Sequence, residues 1–146
     1  MTDLKRGTFP SMMQDPFADA LTQPFWDAAA EGRLTAPQCT VCGTFVLPPQ
    51  PFCFECQSQA FAWVDLPGTG TVYTYTVVRH PLAPQLADVV PYVSGVIELD
   101  GTQGAGARLL LNITDADPDA IKIGDKVQIW FDQVSDTFPL PRARMA

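Results

Sequence analysis

The sequence predicts a mainly β protein: a short N-terminal helix, a four-cysteine ribbon, and then a five-stranded barrel. Three observations predict it. All four cysteines fall in two close pairs, Cys39-Thr-Val-Cys42 and Cys53-Phe-Glu-Cys56. After Pro67-Gly68 the chain becomes a series of short segments rich in Thr, Val, Tyr and Ile, separated by turn residues. Ahead of the cysteines, one segment alone has helical composition and helical end signals.

Taken in order, residues 1–21 are polar and proline-containing with no clear period, and are expected to form an extended or mobile arm. A helix is predicted over Thr22–Glu31. Pro24 suits its first turn, Ala28–Ala30 are strong helix formers, and Gly32 ends it. Phe25 and Trp26 are adjacent rather than a turn apart, so so short a helix cannot cover both. They must dock on the ribbon, on the next module or on a partner.

Helix and ribbon together are assigned to residues 22–66. Within the ribbon, Thr44–Leu47 and Ala60–Trp63 read as short strands. Two residues between paired cysteines let both sulfurs converge on one ion, and the second pair completes a tetrahedral four-thiolate site, which suits Zn²⁺. Cys39, Cys42, Cys53 and Cys56 are therefore the predicted metal ligands. A closed four-thiolate site has no position for substrate, so the metal is expected to be structural. Disulfides or redox thiols fit less well, because no signal peptide or βαβ context is visible; an iron–sulfur cluster meets the ligand requirement alone. A module this small cannot hold itself together by apolar burial and should depend on its metal.

Residues 67–146 are assigned to the barrel and a C-terminal tail. Strands are expected at Thr69–Arg79, Tyr92–Asp100, Ala107–Thr114, Lys126–Asp132 and about Thr137–Leu140. Alternation places Leu109, Leu111 and Ile113 on one face, and Val127, Ile129 and Phe131 on another. Asp117-Pro118 reads as a cap opening one helical turn before Gly124. Five strands with a small helix between the third and fourth match an OB-fold, with an SH3-like barrel as the rival.

Composition narrows the function. The formal net charge is −7, and nucleic-acid binding requires a basic surface to displace counterions. The only basic pairs, Lys5/Arg6 and Arg142/Arg144, lie near the two ends and read as solvated tails. No run of about 18 apolar residues is present, so no membrane span is expected and the location is read as cytoplasmic. An OB-fold module for single strands remains the alternative class, weakened by the charge.

The order of motifs resembles one family. Pro24-Phe-Trp-Asp, Gly32-Arg-Leu34, Cys39-x-x-Cys-Gly43 and Leu47-Pro-Pro-Gln-Pro-Phe-Cys53-x-x-Cys56 are similar to the N-terminal half of the zinc-ribbon and OB-fold proteins associated with acyl-CoA metabolism. Gly68–Thr76, Pro91-Tyr-Val, Gly95–Leu99 and Ile123–Val127 resemble their barrel strands. Phe54 and Gln57 depart from the usual proline and glycine. The resemblance implies a non-catalytic accessory subunit bound to a thiolase-like partner, with the reacting groups and most acyl-CoA contacts on that partner. Retro-aldol cleavage of steroid-type side chains is the leading reaction implied; an acyl-CoA thiolase or acyltransferase complex is the alternative.

The residues agree with a passive chemical role, and no catalytic residue is assigned. His80, the single histidine, has no sequence partner for acid–base work. Phe25, Trp26 and Trp130 are candidate partner-interface residues, with core packing the other reading for Trp130. The loop Pro81–Pro91 follows the first barrel strand, so His80, Leu82 and Leu86 are candidates for an acyl channel or a partner contact.

Overall fold

The computed structural model describes residues 18–102, 106–135 and 138–146. Most of the predicted arm, residues 1–17, and Thr137 of the predicted last strand lie outside the described residues. The helix α1 spans Gln23–Ala30, with Pro24 in its first turn. Gly32 follows it at φ +75°, a conformation natural to glycine that ends the helix.

The ribbon sheet pairs β1 (Thr35–Cys39) antiparallel with β2 (Phe61–Asp65). Little in the residue pattern announces β1. Pro37 sits inside it, tolerated because a two-stranded sheet is all edge. The expected strand at Thr44–Leu47 reduces to a single bridge between Gln38 and Phe45. Beyond it the prolines at 48, 49 and 51 offer no N–H to continue a ladder.

Five strands close the barrel: β3 (Thr69–Val78), β4 (Tyr92–Leu99), β5 (Arg108–Thr114), β6 (Lys126–Ser135) and β7 (Phe138–Met145). Their order around it is β3-β4-β5-β7-β6, and β6 returns to β3. The β5–β7 pairing is parallel and the others antiparallel. That is the Greek-key closure of an OB-fold.

Alternation decides the inside. Val93, Ile97 and Leu99 of β4 face Leu111 and Ile113 of β5, Val127 and Ile129 of β6, and Ala143 of β7. Gly70 of β3 also points inward, where an added Cβ would lie 2.6 Å from the Glu98 carbonyl oxygen. Phe25 of α1, with Leu34, Ala36 and Phe45 of the ribbon, belongs to the same cluster, so helix, ribbon and barrel share one core. The metal end of the ribbon has only a small cluster of its own, Cys39, Val46 and Cys53 with Phe61 against it.

Two expectations are corrected. Between β5 and β6 there is a turn, not a helix: the Asp117 carbonyl accepts the N–H groups of Ala120 (3.0 Å) and Ile121 (3.2 Å), and its carboxylate accepts that of Asp119 (2.9 Å). The cap forms as predicted, but buried Ile121 then drops into the core and Gly124 (φ +95°) turns the chain into β6. The last strand also runs well past Leu140. It carries Arg142 to the face of β7 away from the barrel interior, opposite Trp130 of β6, with its side chain 1% exposed between Asp132 and Asn112. Arg142 is a buried residue, not part of a solvated tail; Arg144 is exposed.

Candidate metal centre and adjoining groove

Two turns of the same build present the cysteines. In the first, Gly43 N–H donates to the Cys39 carbonyl (2.9 Å) and Cys39 N–H to that of Thr44 (2.8 Å). In the second, Gln57 N–H donates to the Cys53 carbonyl (2.9 Å) and Cys53 N–H to that of Ser58 (2.8 Å). The residue after the second cysteine of each pair has positive φ: Gly43 at +79° and Gln57 at +63°. Glycine takes this conformation freely, whereas at Gln57 a side chain occupies it at a cost.

The four sulfurs lie within 4.8 Å of one another, with Cys39–Cys56 at 3.6 Å and Cys42–Cys53 at 3.5 Å. A tetrahedron with metal–sulfur bonds of about 2.3 Å has edges of about 3.8 Å. The cluster therefore fits a single four-thiolate ion. All four cysteines are free of disulfides, Cys39 and Cys53 buried and Cys42 and Cys56 exposed.

Local donors favour thiolates at two positions. The Cys42 N–H, aided by that of Val41, lowers the Cys39 thiol from its ordinary value. The Thr44 hydroxyl and N–H hold Cys42 down at about 6. At Cys56 the Ser58 N–H acts downward, but burial and the three other sulfurs together outweigh it and push the thiol up to about 12. Four sulfurs this close disfavour four negative charges unless a cation shares the site.

Beside the ribbon, on the outer face of the barrel, lies an apolar groove of about 580 Å³. Phe25 and Trp26 of α1 form one wall and Leu47-Pro48-Pro49, between the cysteine pairs, another. Tyr92, Leu110 and Leu140 line the barrel side, among the polar side chains of Thr76, Ser94 and Asn112.

The predicted site residues are dispersed. Phe25 is 7% exposed, its burial made by its own chain, and Trp26 is half-buried edge-on against it with ring centroids 5.0 Å apart. Trp130 is half-buried and its Nε1 donates to the Thr114 hydroxyl at 3.0 Å. His80 is exposed after β3, Leu82 is exposed and Leu86 half-buried; none of the three lines the groove. Sequence reasoning missed Leu110 and Leu140. The run Leu109-Leu110-Leu111 held a signal, because strict alternation requires one of the three to face outward.

A four-cysteine ribbon joined through a common core to an OB barrel defines a protein with a metal-binding arrangement of thiols built into its fold. The chain belongs to the DUF35 family, whose zinc-ribbon and OB-fold parts are described after ChsH2. The model for the ChsH2 rubredoxin-like zinc ribbon domain matches residues 26–62, and that for the ChsH2 C-terminal OB-fold domain residues 63–132. A DUF35 domain-containing scaffold protein of Methanothermobacter thermautotrophicus is 34% identical over 105 residues, covering 71% of this chain and 75% of that protein. Two longer relatives are alpha subunits. One is a probable enoyl-CoA hydratase alpha subunit of Thermomonospora curvata, 37% identical over 123 residues. The other is the 3-oxo-4,17-pregnadiene-20-carboxyl-CoA hydratase alpha subunit of Mycobacterium tuberculosis, 30% identical over 122 residues. Each match covers 84% of this chain, which spans only 37% of the length of either relative. Among solved structures, a chain of the Ltp2-ChsH2(DUF35) aldolase superposes with a TM-score of 0.76 at 34% identity, covering 89% of this chain and 98% of that one. No helix among the described residues is long and apolar enough to cross a membrane.

Proposed function

We propose that this chain is an accessory subunit that binds and stabilises a thiolase-like enzyme acting on an acyl-CoA. The leading reaction is retro-aldol cleavage of a steroid-type side chain, with the reacting groups on the partner. The observation that carries the reading is the likeness, over nearly its whole length, to a chain of an aldolase complex. The printed substrate of the Mycobacterium tuberculosis relative supports a steroid acyl-CoA. The chemistry of the chain agrees. Its four cysteines are turned upon one another, and its histidine is an exposed residue after β3. We place the subunit in the cytoplasm, where such thiols stay reduced.

The ion we assign is Zn²⁺, held by Cys39, Cys42, Cys53 and Cys56 as a structural clasp. Metal analysis of the purified chain should find one zinc per chain. A red, iron-bearing protein after expression in zinc-sufficient medium would overturn that assignment.

Co-expression with a thiolase-like protein encoded beside this chain tests the function. The two should purify together, and acyl-CoA cleavage should require both. A chain that stays monomeric and leaves the neighbour's solubility and activity unchanged sinks the proposal. Cleavage that releases a ketone without added free CoA marks an aldolase; a requirement for free CoA marks a thiolase.

A further inference from the structure

The groove between α1, the ribbon and the barrel is open among the described residues, and Leu110 on its barrel side is 72% exposed. Its volume of about 580 Å³ lies within the range of small-molecule sites, roughly 300–1,000 Å³. Much of its wall is stiff. Phe25 and Trp26 brace each other edge to face, and Pro48, Pro49 and Pro141 carry fixed rings. Such a wall loses little side-chain freedom when a ligand is laid against it.

The floor holds a polar row. Thr76 of β3 pairs with Ser94 of β4, and Ser94 with Asn112 of β5, so their side chains cross adjacent strands in line. Adjacent strands lie about 4.8 Å apart, so the row spans roughly 10 Å. Arg142 Nη1 approaches the amide oxygen of Asn112 at 3.5 Å, so the group that Asn112 offers a ligand is its NH₂. Together with the two hydroxyls it makes a line of donors suited to a carbonyl or hydroxyl oxygen.

Two kinds of occupant fit poorly. An ion finds no counter-charge, because none of the residues lining the groove is charged. A plain hydrocarbon chain would cover the polar row without pairing it, and burying unpaired polar groups is costly. A flexible chain also loses rotamer freedom on stiff walls, whereas a fused ring system has little to lose.

We propose that the groove binds an uncharged, rigid polycyclic skeleton carrying a carbonyl or hydroxyl. Its ring faces lie against Trp26, Leu110 and Leu140, and its oxygen meets the Thr76–Ser94–Asn112 row. The choice of a steroid-type acyl group as that skeleton rests on the accessory-subunit reading. In that assembly this chain holds the apolar ring end of the substrate, while the partner's reacting groups work at the thioester end.

The test uses the full-length, metal-loaded chain alone, with progesterone as an uncharged polycyclic ketone and 1-decanol as a flexible alcohol. With Leu methyl groups ¹³C-labelled, progesterone should shift the signals of Leu47, Leu110 and Leu140. A dissociation constant on the order of 10 μM is expected for a ligand of that size. 1-Decanol should bind about ten-fold more weakly or worse. Leu110→Arg, at an exposed position outside the core, should weaken progesterone by about ten-fold or more. Thr76→Val combined with Ser94→Ala should weaken it roughly five-fold. Progesterone that leaves these signals unmoved, or binds Leu110→Arg as tightly as wild type, overturns the proposal, and so does equal affinity for 1-decanol. Leu110 signals that respond only when the enzyme partner is added would give the groove to a protein segment and overturn it as well. Neither partner nor turnover enters the measurement. A failure here therefore leaves the accessory-subunit reading standing, and a failed co-expression leaves the ring-binding groove standing.

Discussion

The Asp132 carboxylate lies 2.8 Å from Nε of Arg142, a guanidinium that is 1% exposed. Asp132 on β6 is itself 26% exposed, and Asn112 of β5 approaches the same guanidinium at 3.5 Å. A charge so deep is tolerated only while its counter-charge stays in place.

Asp132→Ala should therefore cost about 3 kcal/mol, at the low end for a broken buried pair because Asp132 keeps some water. Asp132→Asn should cost less, since it retains an acceptor. Urea unfolding of the two variants beside wild type gives the comparison. Equal losses would mean that charge contributes nothing at this position.

At the metal centre, Cys39→Ser or Cys56→Ser should release the ion and unfold the ribbon, because the cluster there is only Cys39, Val46, Cys53 and Phe61. Metal binding supplies on the order of 10–16 kcal/mol in isolated zinc-finger peptides, far more than so few side chains can replace. A fully folded, metal-free Cys39→Ser variant, seen by its amide spectrum, would overturn the structural role.

Gln57→Gly should stabilise the metal-bound chain by roughly 1 kcal/mol, because it relieves a left-handed backbone at φ +63°. Gly43→Ala, at φ +79° in the matching turn, should do the reverse. Competition with a chelator reads both, as tighter and weaker metal retention respectively.

Thr102, 1% exposed, donates its hydroxyl to the Leu99 carbonyl at 2.7 Å and accepts the Ala107 N–H at 3.0 Å. Thr102→Val keeps the shape and leaves two buried backbone groups without that partner, so a loss of about 1–3 kcal/mol is expected. Thermal unfolding measures it; an unchanged midpoint would show that water replaces the hydroxyl.

Gly70→Ala should be more damaging than Gly95→Ala. At Gly70 the new methyl meets the backbone oxygen of Glu98 at 2.6 Å, whereas at Gly95 its nearest neighbour, at 2.5 Å, is the terminal methyl of Ile113, which can rotate away. About 1–3 kcal/mol is expected at Gly70. The order of the two midpoints is the readout.

Much of this was legible in the chain. Period-two alternation found the barrel strands because one face of each is buried, and the cysteine spacing found the metal site because two-residue gaps impose one geometry. The failures have physical reasons. Residues 35–39 have a full ladder with β2 on one side and only the single bridge to Phe45 on the other, so Pro37 could sit there and hide the strand. The Asp117 turn has a helix cap without a helix, because Ile121 is drawn into the barrel before a second turn can form. Arg142 looked like a terminal charge because nothing local announces that Asp132 of β6 and Asn112 of β5 meet it in the fold. The groove was invisible for the same reason: its walls come from segments far apart in sequence.

One of those walls, Leu47-Pro48-Pro49, hangs on the link between the two cysteine pairs. The ion that clasps the pairs therefore also shapes a surface it never touches. Without an ion at the cysteines, that lip of the groove should fall slack. The shape of the groove would then depend on the supply of metal.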